Sequence, residues 1–192
     1  MKPEVLTTTP DYQKMITLSS VYKTFGNIEA VKNVSFSIGK GEIFGILGPN
    51  GAGKSTIVNI LNTIVRPDSG DVIIDGVNIR NDGDTIKLIM GVVPQEIALY
   101  EELSAYENLI FWGGLYNIPK PELRAKAIET LGFVDLVNRK DDRIKTFSGG
   151  MKRRINIACS LLHNPCYVGH WRKYDTNVYY AGNTSEDCPG KC

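Results

Sequence analysis

Nine consecutive residues at 48–56, GPNGAGKST, constrain the chain more than any other feature. Glycine at this density interrupts both strands and helices, and the run separates two segments of different texture. Residues 43–47, IFGIL, are a short and nearly continuous apolar run, which predicts a strand buried on both faces. Residues 54–64 put Ile57, Ile60, Leu61 and Ile64 on one side of a helix. Strand, glycine loop, helix is the setting in which G-x-x-x-x-G-K-[ST] holds phosphate. Gly48, Gly51 and Gly53, with Pro49, Asn50 and Ala52 between them, let the backbone curl so that N–H groups point inward at phosphate oxygens. Lys54 supplies a movable ammonium for terminal phosphates, Ser55 a hydroxyl ligand for Mg²⁺, and Thr56 completes the loop.

Around this loop the pattern is α/β. Residues 15–21 and 34–38 alternate like strands, with Gly26 and Asn27 as a turn, and predict an antiparallel lead-in. Residues 71–74 and 77–79 flank Asp75 and Gly76 as a hairpin, and residues 90–93 form another buried strand ending at Pro94 and Gln95. From Ser104 the texture is helical. Ser104 with Glu107 is a capping box, Pro121 suits the first turn of the next helix, and Gly132 ends it. Residues 151–163 carry Ile155, Ala158, Cys159 and Leu162 on one face, and Pro165 stops that helix.

Composition excludes several classes. Twenty-two Lys plus Arg against 21 Asp plus Glu leave a net charge of +1, so no global field favours nucleic acid. The longest apolar stretches fall far short of the ~20 residues that span a bilayer. The N-terminal residues, MKPEVLTTTP, contain no apolar run that would serve as a secretory signal. These features predict a cytoplasmic chain that reaches a membrane only through another subunit. The triplet Lys152, Arg153 and Arg154 reads as a solvated helix face.

Residues 14–165 resemble the ATP-binding cassette (ABC) ATPases, because several separate motifs occur in that family's order. Phe25, in VYKTFG, sits where the family has an aromatic ring that stacks on adenine. GPNGAGKST matches the Walker A loop, and Gln95, after GVVP, matches the glutamine that touches Mg²⁺ or the attacking water. FSGGM at 147–151 matches the signature, whose Ser148, Gly149 and Gly150 would bind the γ-phosphate of ATP held by the opposite subunit. Met151 with the three following basic residues is similar to the multidrug and exporter branch. The resemblance implies a P-loop core, an antiparallel β subdomain and a helical subdomain over about residues 96–148. It further implies ATP and Mg²⁺ as cofactors, a second ATP-binding subunit as dimer partner, and a transmembrane permease at the inner face of the membrane. A soluble ABC protein of repair or translation fits less well, since one cassette is present with neither a tandem partner nor a long insertion.

One element of the family pattern is not located. An apolar strand ending in Asp and Glu, and later a switch histidine, should follow LLHNP at 161–165; the chain instead continues CYVGHWRKYDTNVYYAGNTSEDCPGKC. The acids there are Asp175, Glu186 and Asp187, and none follows an apolar strand. Phosphoryl transfer depends on positioned metal and water. The expectation is therefore a truncated copy, its Walker B strand onward missing, that binds nucleotide poorly and hydrolyses it negligibly. The alternative is a non-catalytic nucleotide-binding or interaction fragment, such as a pseudogene product. Residues 166–192 are expected to be an unstructured, out-of-frame tail. The spacing of Cys166, His170, Cys188 and Cys192 leaves a four-ligand zinc site as the other reading.

Overall fold

Alternating apolar residues give the first two strands one buried face. In the computed structural model, which describes residues 14–170 and 177–181, β1 (Lys14–Phe25) and β2 (Ile28–Gly39) form a long hairpin turning at Gly26 and Asn27. Ile16, Leu18, Val21, Val31 and Ile38 are its buried side. After the short strand β3 (Glu42–Ile46), the glycine loop and helix α1 (Lys54–Leu61), strand β4 (Ser69–Ile74) pairs with the free edge of β1, followed by β5 (Val77–Asn78). Asp75 and Gly76 both have positive φ, 47° and 81°, the geometry that lets a two-residue turn follow the twist of its strands. This antiparallel sheet has the order β2-β1-β4-β5.

A second sheet positions the site. It contains β3, β6 (Met90–Val93), β7 (Tyr167–His170) and β8 (Asn177–Ala181), in the order β3-β8-β7-β6. β7 runs parallel to β6, while β8 is antiparallel to both β7 and β3. It follows that β3, β6 and β7 point the same way and that Ile46, Val93 and His170 lie at one edge. Loops leaving the carboxyl ends of such strands are where α/β proteins build ligand sites.

The remaining helices are α2 (Gly83–Ile89), α3 (Ala105–Gly114), α4 (Lys120–Phe133) and α5 (Gly149–Leu161). The capping box holds: Ser104 Oγ accepts from Glu107 N at 3.1 Å, and the Glu107 carboxylate accepts from Ser104 N at 2.8 Å. One apolar cluster joins the sheets to α1 and α2. A second joins α3, α4 and α5 through residues such as Leu109, Leu131, Ile155 and Leu162.

Three local expectations change. β3 is not buried on both faces, since Ile43 is 69% exposed and the strand alternates in burial. Apolar continuity predicts burial on both faces, but only one of them is covered by the described residues. Helix α2 was not read from the sequence; its signal is Asp82, whose side chain accepts from Thr85 N at 3.0 Å as an N-cap. Finally, two segments of the stretch read as an unstructured tail are strands, β7 and β8, satisfying the backbone of β6 and β3. Cys188 and Cys192, on which the zinc reading depends, lie outside the described residues.

Helix α1 ends against its own sequence. Asn62 is the C-cap and Thr63, just beyond it, has φ 57°. A left-handed residue at this position is usually glycine, and a β-branched one costs about 1–2 kcal/mol there. The Thr63 hydroxyl is also buried without a hydrogen-bond partner. Thr63→Gly relieves both, against the ~0.4–1 kcal/mol of extra unfolded-chain entropy that glycine brings. The expected result is a rise in the thermal midpoint of about 2–4 °C. A fall on differential scanning calorimetry would show that Thr63 packing outweighs its backbone strain.

Candidate functional site

The glycine loop leaves the carboxyl end of β3 and turns into α1 at Gly53, the N-cap. Gly53 is required twice over: its φ is 84°, and a Cβ there would lie 2.1 Å from the carbonyl oxygen of Ala30 in β2. The loop is thus pressed against the β1–β2 hairpin. No side chain caps α1 at Gly53, so the first-turn N–H groups remain directed outward from a helix start. Lys54 folds back over the loop, its Nζ donating to the carbonyls of Gly48 and, at 2.9 Å, Pro49. Ser55 is exposed at the mouth and Thr56 half-buried behind it. An ammonium, free N–H groups and a hydroxyl at a helix start fit a polyphosphate and a hard cation that takes oxygen ligands.

Phe25 closes β1 and pairs with Ile28 at the hairpin tip. It is 48% exposed, with the Lys23 ammonium 5.3 Å from its ring centroid. The hairpin is pinned by Asp68, whose carboxylate accepts from Lys23 Nζ at 2.6 Å and Thr24 N at 2.7 Å. The Lys23 hydrogen bond, then the Thr24 amide, hold that carboxyl below its ordinary pKa. The same hairpin that abuts Gly53 thereby presents an open aromatic face.

Gln95 leaves the carboxyl end of β6, on the same sheet edge as the glycine loop, and is half-buried. Its loop is held from α5. Arg153 Nη1 donates to Pro94 O at 2.5 Å and to Gln95 O at 3.0 Å. Asn156, one helical turn on, accepts from Ala98 N at 3.2 Å and donates to Glu96 O at 3.3 Å. Two members of the basic triplet are therefore not a solvated face: Arg153 holds this loop and Lys152 pairs with Glu101, while Arg154 is exposed and donates to Val134 O at 2.9 Å. Sequence reasoning also missed Asn108, fully buried, which bonds Tyr100 N and O and Ser104 O at 2.8–3.0 Å. A polar amide on the buried face of an otherwise apolar helix was the available signal.

Ser148, Gly149 and Gly150 open α5. Ser148 Oγ accepts from Met151 N at 3.3 Å, and all three residues are exposed. A Cβ added at Gly149 or Gly150 would meet nothing within 4 Å, and neither has positive φ. Nothing in the chain's own packing demands glycine there. Among the described residues, no hydrogen bond joins this signature to the glycine loop, so the structure brings Gln95 and the loop to one edge but leaves residues 148–150 facing outward.

At the third strand of that edge, β7 ends on His170, opposite Val93, where the family pattern has carboxylates. Asp175, Glu186 and Asp187 fall outside the described residues.

Comparisons agree with this geometry. Residues 31–168 match the ABC transporter family. The linearmycin resistance ATP-binding protein of Bacillus subtilis is 48% identical over 151 residues, covering 79% of this chain and 49% of that protein. The doxorubicin resistance ATP-binding protein of Mycobacterium tuberculosis is 41% identical over 152 residues, covering 78% and 46%. The chain thus spans about half the length of the curated relatives it matches. Among solved structures, an ATP-binding cassette in a dimeric post-hydrolysis state bound to ADP and Pi superposes with TM-score 0.67 at 32% identity, covering 79% of this chain and 71% of that one. The cbiO1 protein of Clostridium perfringens, part of an ABC transporter complex, gives TM-score 0.72 at 26% identity, covering 80% and 63%. With its glycine loop, Gln95 and signature in family order and fold, the chain belongs to the ABC transporter family.

Proposed function

We propose that the chain is an ATP-binding subunit of an ABC exporter, in a copy that holds Mg²⁺-ATP but hydrolyses it negligibly. The observation that carries this reading is the glycine loop, where Gly53 is locked on Ala30 and Lys54 is folded over loop carbonyls it can exchange for phosphate oxygens. In it, residues 48–56 hold the triphosphate, Phe25 stacks on adenine, and Ser55 and Gln95 supply oxygen ligands to Mg²⁺. Export is supported by relatives named for linearmycin and doxorubicin resistance, and by the Nod factor export ATP-binding protein I of Rhizobium meliloti, 37% identical over 150 residues. The ending of β7 on His170 supports the loss of hydrolysis.

Two partners follow. A second ATP-binding subunit meets the outward face of residues 148–150, where the sterically unneeded Gly149 and Gly150 leave room for another chain's nucleotide. A permease docks beside the Gln95 loop, on the exposed patch made by Tyr100 and Phe111. Rings at 4.6 Å between Tyr100 and Phe111 stiffen that patch, and exposed apolar patches of this kind mark interaction surfaces. No helix among the described residues is long and apolar enough to cross a membrane. The proposed location, which follows from the permease as partner, is the cytoplasmic inner face of the membrane.

A fluorescent-nucleotide titration tests the core of this reading. Lys54→Ala removes a charge-assisted bond and is expected to weaken ATP at least tenfold, to about the detection limit. Phe25→Ala is expected to weaken ATP about tenfold through lost stacking while leaving inorganic tripolyphosphate competition within about twofold, since that ligand has no base to stack. Equal binding by wild type and Lys54→Ala would overturn the proposal.

A further inference from the structure

The segment that follows β6 has no secondary structure of its own between Pro94 and Tyr100. A loop at a ligand edge needs its backbone groups satisfied from elsewhere, and here two side chains of one helix do it. Arg153 spans two consecutive carbonyls, those of Pro94 and Gln95. Asn156 takes the next accessible pair, the carbonyl of Glu96 and the N–H of Ala98. Residues three apart share a helix face, so both grips come from one side of α5. Asn156 is buried, and its amide uses both its donor and its acceptor on the loop.

We infer that Arg153 and Asn156 are positioning residues for Gln95, and that through them the loop moves as one body with the helix that begins at Ser148. This rests on the reading of Gln95 as a Mg²⁺ ligand given above. The guanidinium matters for its shape as well as its charge. Nη1 of the planar guanidinium donates to the carbonyls of Pro94 and Gln95, which belong to the two peptide planes flanking Gln95 Cα, and those planes set where the Gln95 side chain starts. The amide of Asn156 fixes the far end of the same turn. Because α5 is a continuous 13-residue helix, a partner nucleotide engaging its first turn and a cation engaging Gln95 act on opposite ends of one rigid connection. Loss of the grip should therefore change what Gln95 does without changing what the glycine loop does, since that loop is held by Ala30 and α1 on separate elements.

Two measurements on the full chain test this. Hydrogen exchange without nucleotide should show residues 95–99 exchanging about tenfold faster in Arg153→Ala and in Asn156→Ala, with β6 unchanged and with Arg153→Lys intermediate. Titration with ATP, in EDTA and then in Mg²⁺, should show wild type gaining affinity with the metal. Arg153→Ala should lose most of that gain, about fivefold or more, while its affinity in EDTA stays within twofold of wild type. A merely structural role for Arg153 would lower both affinities together, and that outcome, or unchanged exchange at 95–99, overturns the inference. Absence of ATP binding by the wild type would instead overturn the proposed function, and the exchange measurement, which uses no nucleotide, then decides the grip by itself.

Discussion

Mixed with ATP and Mg²⁺, the purified chain is expected to release phosphate no faster than its Lys54→Ala variant, even at high protein concentration. Hydrolysis by this family's pattern asks for a carboxylate to hold the metal, a second to polarise water, and a histidine that senses the γ-phosphate. The edge that should present the carboxylates ends instead on His170 of β7, in register with Val93. Removing one well-placed electrostatic group typically costs ~10²–10³ in rate. Groups that act as a unit do not multiply their losses, yet a site without several of them is expected to turn over at background. A malachite-green assay comparing the two proteins is sufficient. Turnover that vanishes with Lys54 would refute the expectation and assign catalysis to Asp175, Glu186 or Asp187.

What the sequence made legible follows from how local each signal is. The strand–loop–helix setting of residues 48–56, the capping box at Ser104 and Glu107, and the strand at Met90–Val93 depend on residues within a few positions of one another, and these three are seen in the structure. The hairpin that carries Phe25 was equally legible, because alternation and a Gly-Asn turn are short-range signals. The fate of Arg153 was not, because its partners are carbonyls nearly sixty residues away. A basic triplet looks the same whether it faces water or grips a loop. Ile43 failed for a related reason: apolar continuity cannot tell which face has a neighbour. The strands β7 and β8 pair non-locally, with β6 and β3, and carry no periodicity that would have announced them.

Acid should destabilise the chain through a single buried ring, His163. The side chain stacks on Tyr116, with ring centroids 3.7 Å apart, and its Nε2 lies 2.9 Å from the carbonyl oxygen of Met90. That contact requires Nε2 to carry the proton and donate it, which leaves Nδ1 unprotonated, buried and without a partner. A second proton on Nδ1 would find no acceptor. Burial is the main cause that pushes the pKa down to about 4; Lys126 adds to it and the Met90 carbonyl opposes it. Because the folded value lies below the unfolded 6.5, the unfolded chain binds the proton first as pH falls. Stability is therefore full above pH 6.5, is lost progressively down to about pH 4, and changes no further below that on account of this group. The residue is 5% exposed, so solvent screening removes little, and the loss approaches about 3 kcal/mol by linkage. His163→Gln keeps a donor for Met90 but does not titrate. The expected result is a pH-dependent gap between the two urea-unfolding free energies that closes from pH 7 to pH 4.5 in favour of the variant. Carboxylates such as Asp82, held below the ordinary range by the Thr85 hydroxyl and amide, are common to both proteins and cancel in the difference. Parallel curves across that range would show that His163 finds water or an acceptor when it charges.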